Sequence, residues 1–416
     1  MKRPLLVGLL LVAIFAFGAG VGWLVFPPDD DESSATASAS AAGTAPAPVA
    51  SVASSSTTST TTTTTIIPPK PRRGTMAFTG DLLPHGPVVN AAAANAAEGW
   101  DFLPMFAEVA PILAGADVAI CHLETPLSLD DTAISGYPEF NAPRALAEAA
   151  RDAGYDGCST ASNHSYDRGA SGVESTVQVM DEVGLAQAGM AVSEAGDLTP
   201  LFYDVNGISV AHISATYGLN GFELPADRPY MVDLIDPAPI VEEARLAREA
   251  GAEFVVVSLH WGTEYRSEPD DAQVAWMKEI LPAADVDLII GHHAHVVQPV
   301  DRFGDEWVVY GLGNFLSNQS ANCCVAASQD GMIATVQLNE TSPGTIEAVA
   351  VDYTPTWVDR GNGYVIRVAG DRSGSGLPEA TVAALATSWD RTTAVVGSRL
   401  LPTDGLSVAD PVAVQP

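Results

Sequence analysis

The run Phe254-Val-Val-Val, continuing through Ser258 to Leu259, restricts the fold more than any other stretch. Branched side chains stiffen the backbone toward strand. An apolar run without polar alternation has to be covered on both faces. Val286–Ile290, interrupted only by Asp287, is a second, shorter apolar run. Both ask for central strands of a sheet with structure packed on either side.

Short apolar runs alternate with helical stretches from Gly74 onward, which is the pattern of an α/β protein. Strands are predicted at Thr75–Thr79, Asp117–His122, Asp156–Thr160, Phe254–Leu259 and Val286–Ile290. Helices are predicted at Leu103–Gly115, Pro143–Ala153, Gly169–Val183, Asp236–Ala250 and Asp270–Ala284. Leu201–Val205 and Ile208–Ser214 flank Asn206-Gly207 and read as a hairpin. Trp307–Tyr310, Met332–Leu338 and Thr345–Tyr353 are later strands, more alternating and antiparallel in character. Beyond about Gly370 the rhythm fades. One more helix is expected at Pro378–Ser388, and Leu401–Pro416 reads as a frayed tail.

The N-terminus has a different composition. Leu5–Phe26 is uncharged and almost wholly apolar. As a helix it would span about 33 Å, enough for a bilayer core. Lys2 and Arg3 precede it and Asp29–Glu32 follow, so the remainder of the chain is expected outside the membrane. The run is long for a cleaved signal peptide, and no small-x-small site ends it. Pro27 to Arg73 is rich in Ala, Ser, Thr and Pro and cannot bury a core. The expected organisation is an anchor (1–26), a disordered linker (27–73), a folded domain (74–370) and a C-terminal helix and tail (371–416). The expected location is the cell membrane, single-pass, with the main domain extracytoplasmic. Cys121, Cys158, Cys323 and Cys324 would then meet an oxidising compartment, with disulfides and buried thiols both open. The net charge of −32 argues against nucleic acid or anionic lipid as a partner of the folded part.

Polar residues gather where the predicted strands end. Gly80-Asp81 closes the first, with His85 four residues beyond Asp81. His122-Leu-Glu124 closes the second and Asn163-His164 follows the third. His260-Trp-Gly follows the fourth, and Gly291-His-His-Ala-His295 the fifth. The carboxyl ends of strands in an α/β sheet converge on one edge, where ligands bind. Seven of the eight histidines belong to this set; His212, inside a strand-like run, reads as structural. Carboxylate, imidazole and amide oxygen together suit zinc, manganese, iron or cobalt. The candidate ligands exceed what one tetrahedral ion needs, and fit two divalent transition metal ions.

These motifs occur in a recognisable order: Gly80-Asp81, Leu123-Glu-Thr-Pro126, Ser162-Asn-His164 with Asp167 and Gly169, His260-Trp-Gly-Thr-Glu-Tyr265, Gly291–His295 and Gly311-Leu-Gly-Asn-Phe315. Together they resemble the CapA family of capsule-synthesis proteins, associated with poly-γ-glutamate, over about Thr75–Tyr353. That family in turn resembles the calcineurin-like metallophosphoesterases. The resemblance implies a four-layer α/β-β/α sandwich, membrane attachment and a role at the outer face of the membrane. It implies Asp81, Glu124, Asn163, His260, His293 and His295 as metal ligands, with Glu124 bridging, and His164 as general acid. His85 would be a further metal ligand, the histidine partner of Asp81, although the phosphoesterase pattern has that pair two apart. His292 is left outside the ligand set and is expected to tolerate change best. Glu264 and Tyr265 either face substrate or anchor their turn, and Asn314, at another strand end, is a candidate to line the site.

Three functions are compatible with this reading. One is a metal-dependent hydrolase or transferase on an anionic envelope polymer. Another is an extracytoplasmic phosphoesterase on nucleotides or phosphorylated glycans, a small-molecule substrate in the first case. The third is a non-catalytic subunit supporting a membrane synthase complex.

Overall fold

The computed structural model describes residues 70–283, 285–400 and 404–409. Leu5–Phe26, most of the linker and the end of the tail lie outside them. Among the described residues no helix is long and apolar enough to cross a membrane.

The strands are β1 (Arg73–Leu83), β2 (Val118–Leu123), β3 (Gly157–Ser159), β4 (Ala186–Ala188), β5 (Leu201–Val205), β6 (Ile208–Thr216), β7 (Phe254–His260) and β8 (Leu288–His292). They continue as β9 (Val300–Phe303), β10 (Glu306–Val309), β11 (Asn314–Ser317), β12 (Asp330–Ser342), β13 (Thr345–Asp359), β14 (Val365–Val368) and β15 (Leu406–Val408). The helices are α1 (Gly86–Asn95), α2 (Ala110–Leu113), α3 (Ala145–Ala153), α4 (Gly169–Val183), α5 (Glu194–Asp197), α6 (Pro237–Glu249), α7 (Asp271–Ile280) and α8 (Glu379–Val396).

Two mixed sheets result. The first runs β14-β13-β12-β1-β2-β3-β4, with β11 beside β1 and β15 beside β13; the second runs β5-β6-β7-β8-β10-β9. They share one core: Met76, Phe78 and Ile120 from the first sheet pack with Val256, Ile290 and Trp307 from the second. The outer face of the first sheet is covered by α3 and α4 through Leu146, Ala150, Val179 and Met180. The outer face of the second is covered by α6 and α7 through Ile240, Ala244, Met277 and Ile280. The unbroken run in β7 is thereby apolar on both sides, with Val256 facing the shared core and Val255 and Val257 facing the helices.

Several boundaries differ from expectation for local reasons. Leu103–Gly115 is a 3₁₀ turn at Leu103–Phe106 followed by the short α2. Pro111 lacks an N–H and its ring would crowd the preceding turn, so one continuous helix is excluded. β1 continues through Asp81 to Leu83, because β11 pairs with it there in parallel. Gly80 permits this approach, since a Cβ on it would lie 2.0 Å from the Gly313 carbonyl oxygen. α8 outruns Pro378–Ser388 because its far end, Val396, finds cover in the shared core. The expected tail contains β15, paired in parallel with β13. Arg72 and Arg73, assigned to the linker from sequence, belong to the folded part: β1 starts at Arg73. Cys121 and Cys158 face each other across β2 and β3 and form a disulfide, whereas Cys323 and Cys324 are free thiols.

Candidate metal centre

The site is built from strand register. Asp81 of β1 is paired with His122 of β2 in the first sheet. His260 of β7 is paired with His292 of β8 in the second. Both pairs lie at carboxyl ends, where the two sheets meet. His122 Nε2 and His260 Nδ1 are 2.9 Å apart across the gap, and the rings of His122 and His292 stack at 4.0 Å. His292 Nδ1 stands 3.6 Å from Asp81 Oδ1.

After β8 the backbone takes positive φ at His293 (83°) and His295 (54°). Residues other than glycine seldom adopt this region, and it is favoured where a site demands it. The two turns bring both side chains to Glu124, just past β2. His295 Nε2 lies 3.7 Å and His260 Nε2 4.0 Å from Glu124 Oε1. His295 Nδ1 is 3.0 Å from Asp81 Oδ2, joining the two halves.

Two groups could therefore hold an ion: Asp81 with His122 and His292, and Glu124 with His293 and His295. The donor set fits. Both oxygens of Glu124, Oδ1 of Asp81 and Nδ1 of His292 and His293 are buried without a hydrogen-bond partner. Leaving such groups unpaired is costly. Two donors each about 2.1 Å from a shared ion sit about 3.4 Å apart when tetrahedral, close to the 3.6 and 3.7 Å separations found.

Electrostatics agree. Burial, with neighbouring imidazoles, pushes His122 and His260 well below the usual histidine range, and pushes His293 down to about 3. All three are neutral, as ligands must be. Burial holds Glu124 well above the ordinary carboxylate range. Burial would also raise Asp81, but the neighbouring imidazoles of His292 and His295 bring it down instead. Burial would lower His295, yet Glu124 and Asp81 outweigh it and lift it to about 9. An ion held by His295 would displace that proton, because a ligating imidazole must be neutral.

His164 stands beside these groups. Its Nδ1 is 2.7 Å from Asp167 Oδ2, an oxygen that also accepts from the Phe140 backbone N–H at 2.7 Å. The Phe140 ring packs edge-on against His164 at 4.7 Å. This clamp leaves Nε2 as the working nitrogen. A cavity of about 380 Å³ adjoins, walled by His85, His164, Glu264, Tyr265 and His295 among others.

Asn163 is a neighbour of the set, its Oδ1 2.9 Å from His260 Nε2. His85 stands apart from both groups: its Nδ1 faces the Leu83 carbonyl at 3.0 Å and its ring lies against Phe140. The longer spacing from Asp81 carries it to the cavity wall. Glu264 is on that wall and exposed. Asn314 is not: it is fully buried, and its Nδ2 donates to Gln319 at 3.1 Å and to the Ser328 carbonyl at 2.9 Å. It ties loops together behind His295. His212 is buried in β6 and bonds Ser258 at 2.9 Å.

The sequence reading left out His292, which belongs with Asp81, and gave His122 no role. A signal for His122 existed, since it precedes Glu124 by two residues in one strand end. Asp167 was noted in its motif, but its contact with His164 needs the turn after β3. Tyr217, whose ring lies tilted against that of His293 at 4.6 Å, had no signal at all.

Fold and site together define an α/β-β/α sandwich with two groups able to bind metal where its sheets meet. The chain belongs to the bacterial capsule synthesis protein family PGA_cap, whose model matches residues 75–319. It is 26% identical over 261 residues to the capsule biosynthesis protein CapA of Bacillus anthracis, covering 61% of this chain and 62% of that relative, less than two thirds of its length. It is 26% identical over 287 residues to the PGA biosynthesis protein CapA of Bacillus subtilis, covering 66% and 70%. Among solved structures, the calcineurin-like phosphoesterase YfkN of Bacillus subtilis aligns at 13% identity and a TM-score of 0.42, over 78% of this chain and 98% of that one.

Proposed function

We propose that this protein is a membrane-anchored, metal-dependent hydrolase or transferase acting on an envelope polymer of the poly-γ-glutamate type, outside the cytoplasmic membrane. The observation that carries the reading is the pairing of two metal-capable groups with a clamped histidine beside an open cavity. Membership of a capsule-synthesis family supports the polymer. The anchor is Leu5–Phe26, and the Cys121–Cys158 disulfide supports an oxidising location.

Asp81, His122 and His292 would hold one ion, and Glu124, His293 and His295 the other, with Asn163 and His260 between them. Bound divalent ions supply a hydroxide at neutral pH and charge to stabilise a developing oxyanion. His164 Nε2 gives a proton to the leaving group. Asp167 keeps Nδ1 of that ring in place, and Phe140 excludes water from its face.

The test is metal content of the purified full chain, together with turnover of γ-glutamyl and phosphodiester substrates. We expect two transition metal ions per chain, one of them lost in His293→Ala, and γ-glutamyl turnover that His164→Ala abolishes while metal is retained. Metal-free, fully folded protein would overturn the reading. Phosphodiester turnover alone would replace the polymer with a nucleotide or phosphorylated glycan. Full complementation of a deletion strain by an Asp81→Ala, His260→Ala variant would point instead to support of a membrane synthase.

A further inference from the structure

The chain has 51 Asp and Glu against 19 Lys and Arg, so a cation without a carboxylate partner stands out. Among the described residues, Lys70, Arg73, Arg168, Arg266, Lys278 and Arg360 form no ion pair. The first five are exposed, whereas Arg360 is half-buried. Its neighbour Asp359 is already engaged, since Asp359 Oδ2 accepts from Arg367 Nε at 2.6 Å. Keeping a partly desolvated charge without a counter-charge is costly.

Arg360 follows β13 and reaches the loop after β11. Its Nε and Nη2 donate to Asn318 Oδ1 at 3.3 and 3.0 Å. The Tyr364 hydroxyl donates to the same oxygen at 2.7 Å. Tyr364 holds this place with a left-handed backbone, φ 62°, which bulky residues seldom adopt. Three donors thus converge on one neutral amide oxygen, which has two lone pairs, while a guanidinium offers five N–H groups. Asn318 is on the wall of the cavity beside His164, and so is His85, whose Nδ1 lies 3.5 Å from the Asn318 backbone nitrogen. No lysine or arginine lines that cavity among the described residues; Arg360 stands one side chain behind its wall.

We propose that Arg360 and Tyr364 form a carboxylate-binding subsite of this cavity, which grips an α-carboxylate of a γ-glutamyl polymer. The proposal rests on the polymer reading given above. Each γ-linked glutamate carries one free α-carboxylate. Entering along the His85 and Asn318 wall, that group takes the place of the Asn318 amide oxygen. It then receives the paired N–H groups of the guanidinium and the Tyr364 hydroxyl. A charged acceptor makes these bonds shorter and stronger than a neutral one does, and a guanidinium matches the planar carboxylate two bonds at a time. The subsite gives a protein of net charge −32 a local hold on an anionic substrate.

The test uses the full chain carrying His164→Ala, so that turnover does not consume the ligand. It is titrated by calorimetry with tri-γ-glutamate and with the same tripeptide bearing α-carboxamides. The acid should bind at least ten-fold more tightly than the amide. Adding Arg360→Gln should weaken acid binding at least ten-fold and leave amide binding and metal content as they were. Arg360→Lys should restore part of the loss, since an ammonium keeps the charge without the fork. Tyr364→Phe, which removes one hydroxyl, should also weaken the acid and not the amide, a result that does not depend on whether Arg360→Gln folds. Equal affinity for acid and amide in the His164→Ala protein would overturn the proposal, and so would undiminished acid binding after Arg360→Gln. Hydrolysis is a separate readout. An unaltered chain that binds the acid selectively and turns over no γ-glutamyl substrate would sink the catalytic reading and leave this subsite standing.

Discussion

His292 and His122 are the residues whose roles change most between sequence and structure. Each joins Asp81, whose Oδ1 is buried and unpaired, in a group of three that could hold an ion. We expect His292→Ala and His122→Ala each to lose one of two bound ions and keep the other, measured as metal per chain. His85→Ala should leave metal content unchanged, because its ring lies on the cavity wall. Asp167→Asn should retain metal but lower kcat by about 10–100-fold, the usual loss when a partner orienting a functional histidine is removed. If kcat is unaltered, His164 does not depend on that clamp. Asn314→Ala should lower the melting temperature without altering KM, since its amide joins loops rather than facing the cavity.

Among the elements, β1 holds both sides of the fold together. Phe78 is 1% exposed at the centre of the shared core. Phe78→Ala should cost about 3–5 kcal/mol in chemical denaturation, for lost burial plus the cavity left behind. Just before β1, Arg72 bonds Glu253 at 2.7 Å, ahead of β7, and Glu340 of β12 at 3.1 Å, so it bridges the two sheets. The Arg72 guanidinium lowers the Glu340 carboxyl from 4.5 to about 2. A depressed carboxylate contributes stability that is full above about pH 4.5 and disappears as pH falls toward 2. Comparing melting temperatures at pH 5 and pH 3, Arg72→Ala should show the smaller acid-induced drop. An equal drop in both proteins would mean that this bridge contributes nothing to folding.

For the molecule as a whole, the disulfide between β2 and β3 closes a loop with a sequence separation of 37. Changing Cys121 and Cys158 together to alanine should cost about 2–4 kcal/mol, mostly through a freer unfolded chain. With the anchor proposed at Leu5–Phe26, deleting residues 1–66 should shift the protein from the membrane to the soluble fraction while leaving its melting temperature intact. The α/β class, most strands, the hairpin and the gathering of histidines at strand ends are determined by local sequence. Apolar runs, turn residues and proline positions act over a few neighbours and can be read in order. Partnership across the gap cannot. Asp81 meets His292, and Glu124 meets His295, only after two sheets have paired in register and packed face to face. The left-handed turns at His293 and His295, the burial of Asn314 and the pairing of β11 with β1 were likewise decided by tertiary structure. Each depends on contacts between residues far apart in the chain, which no local preference encodes.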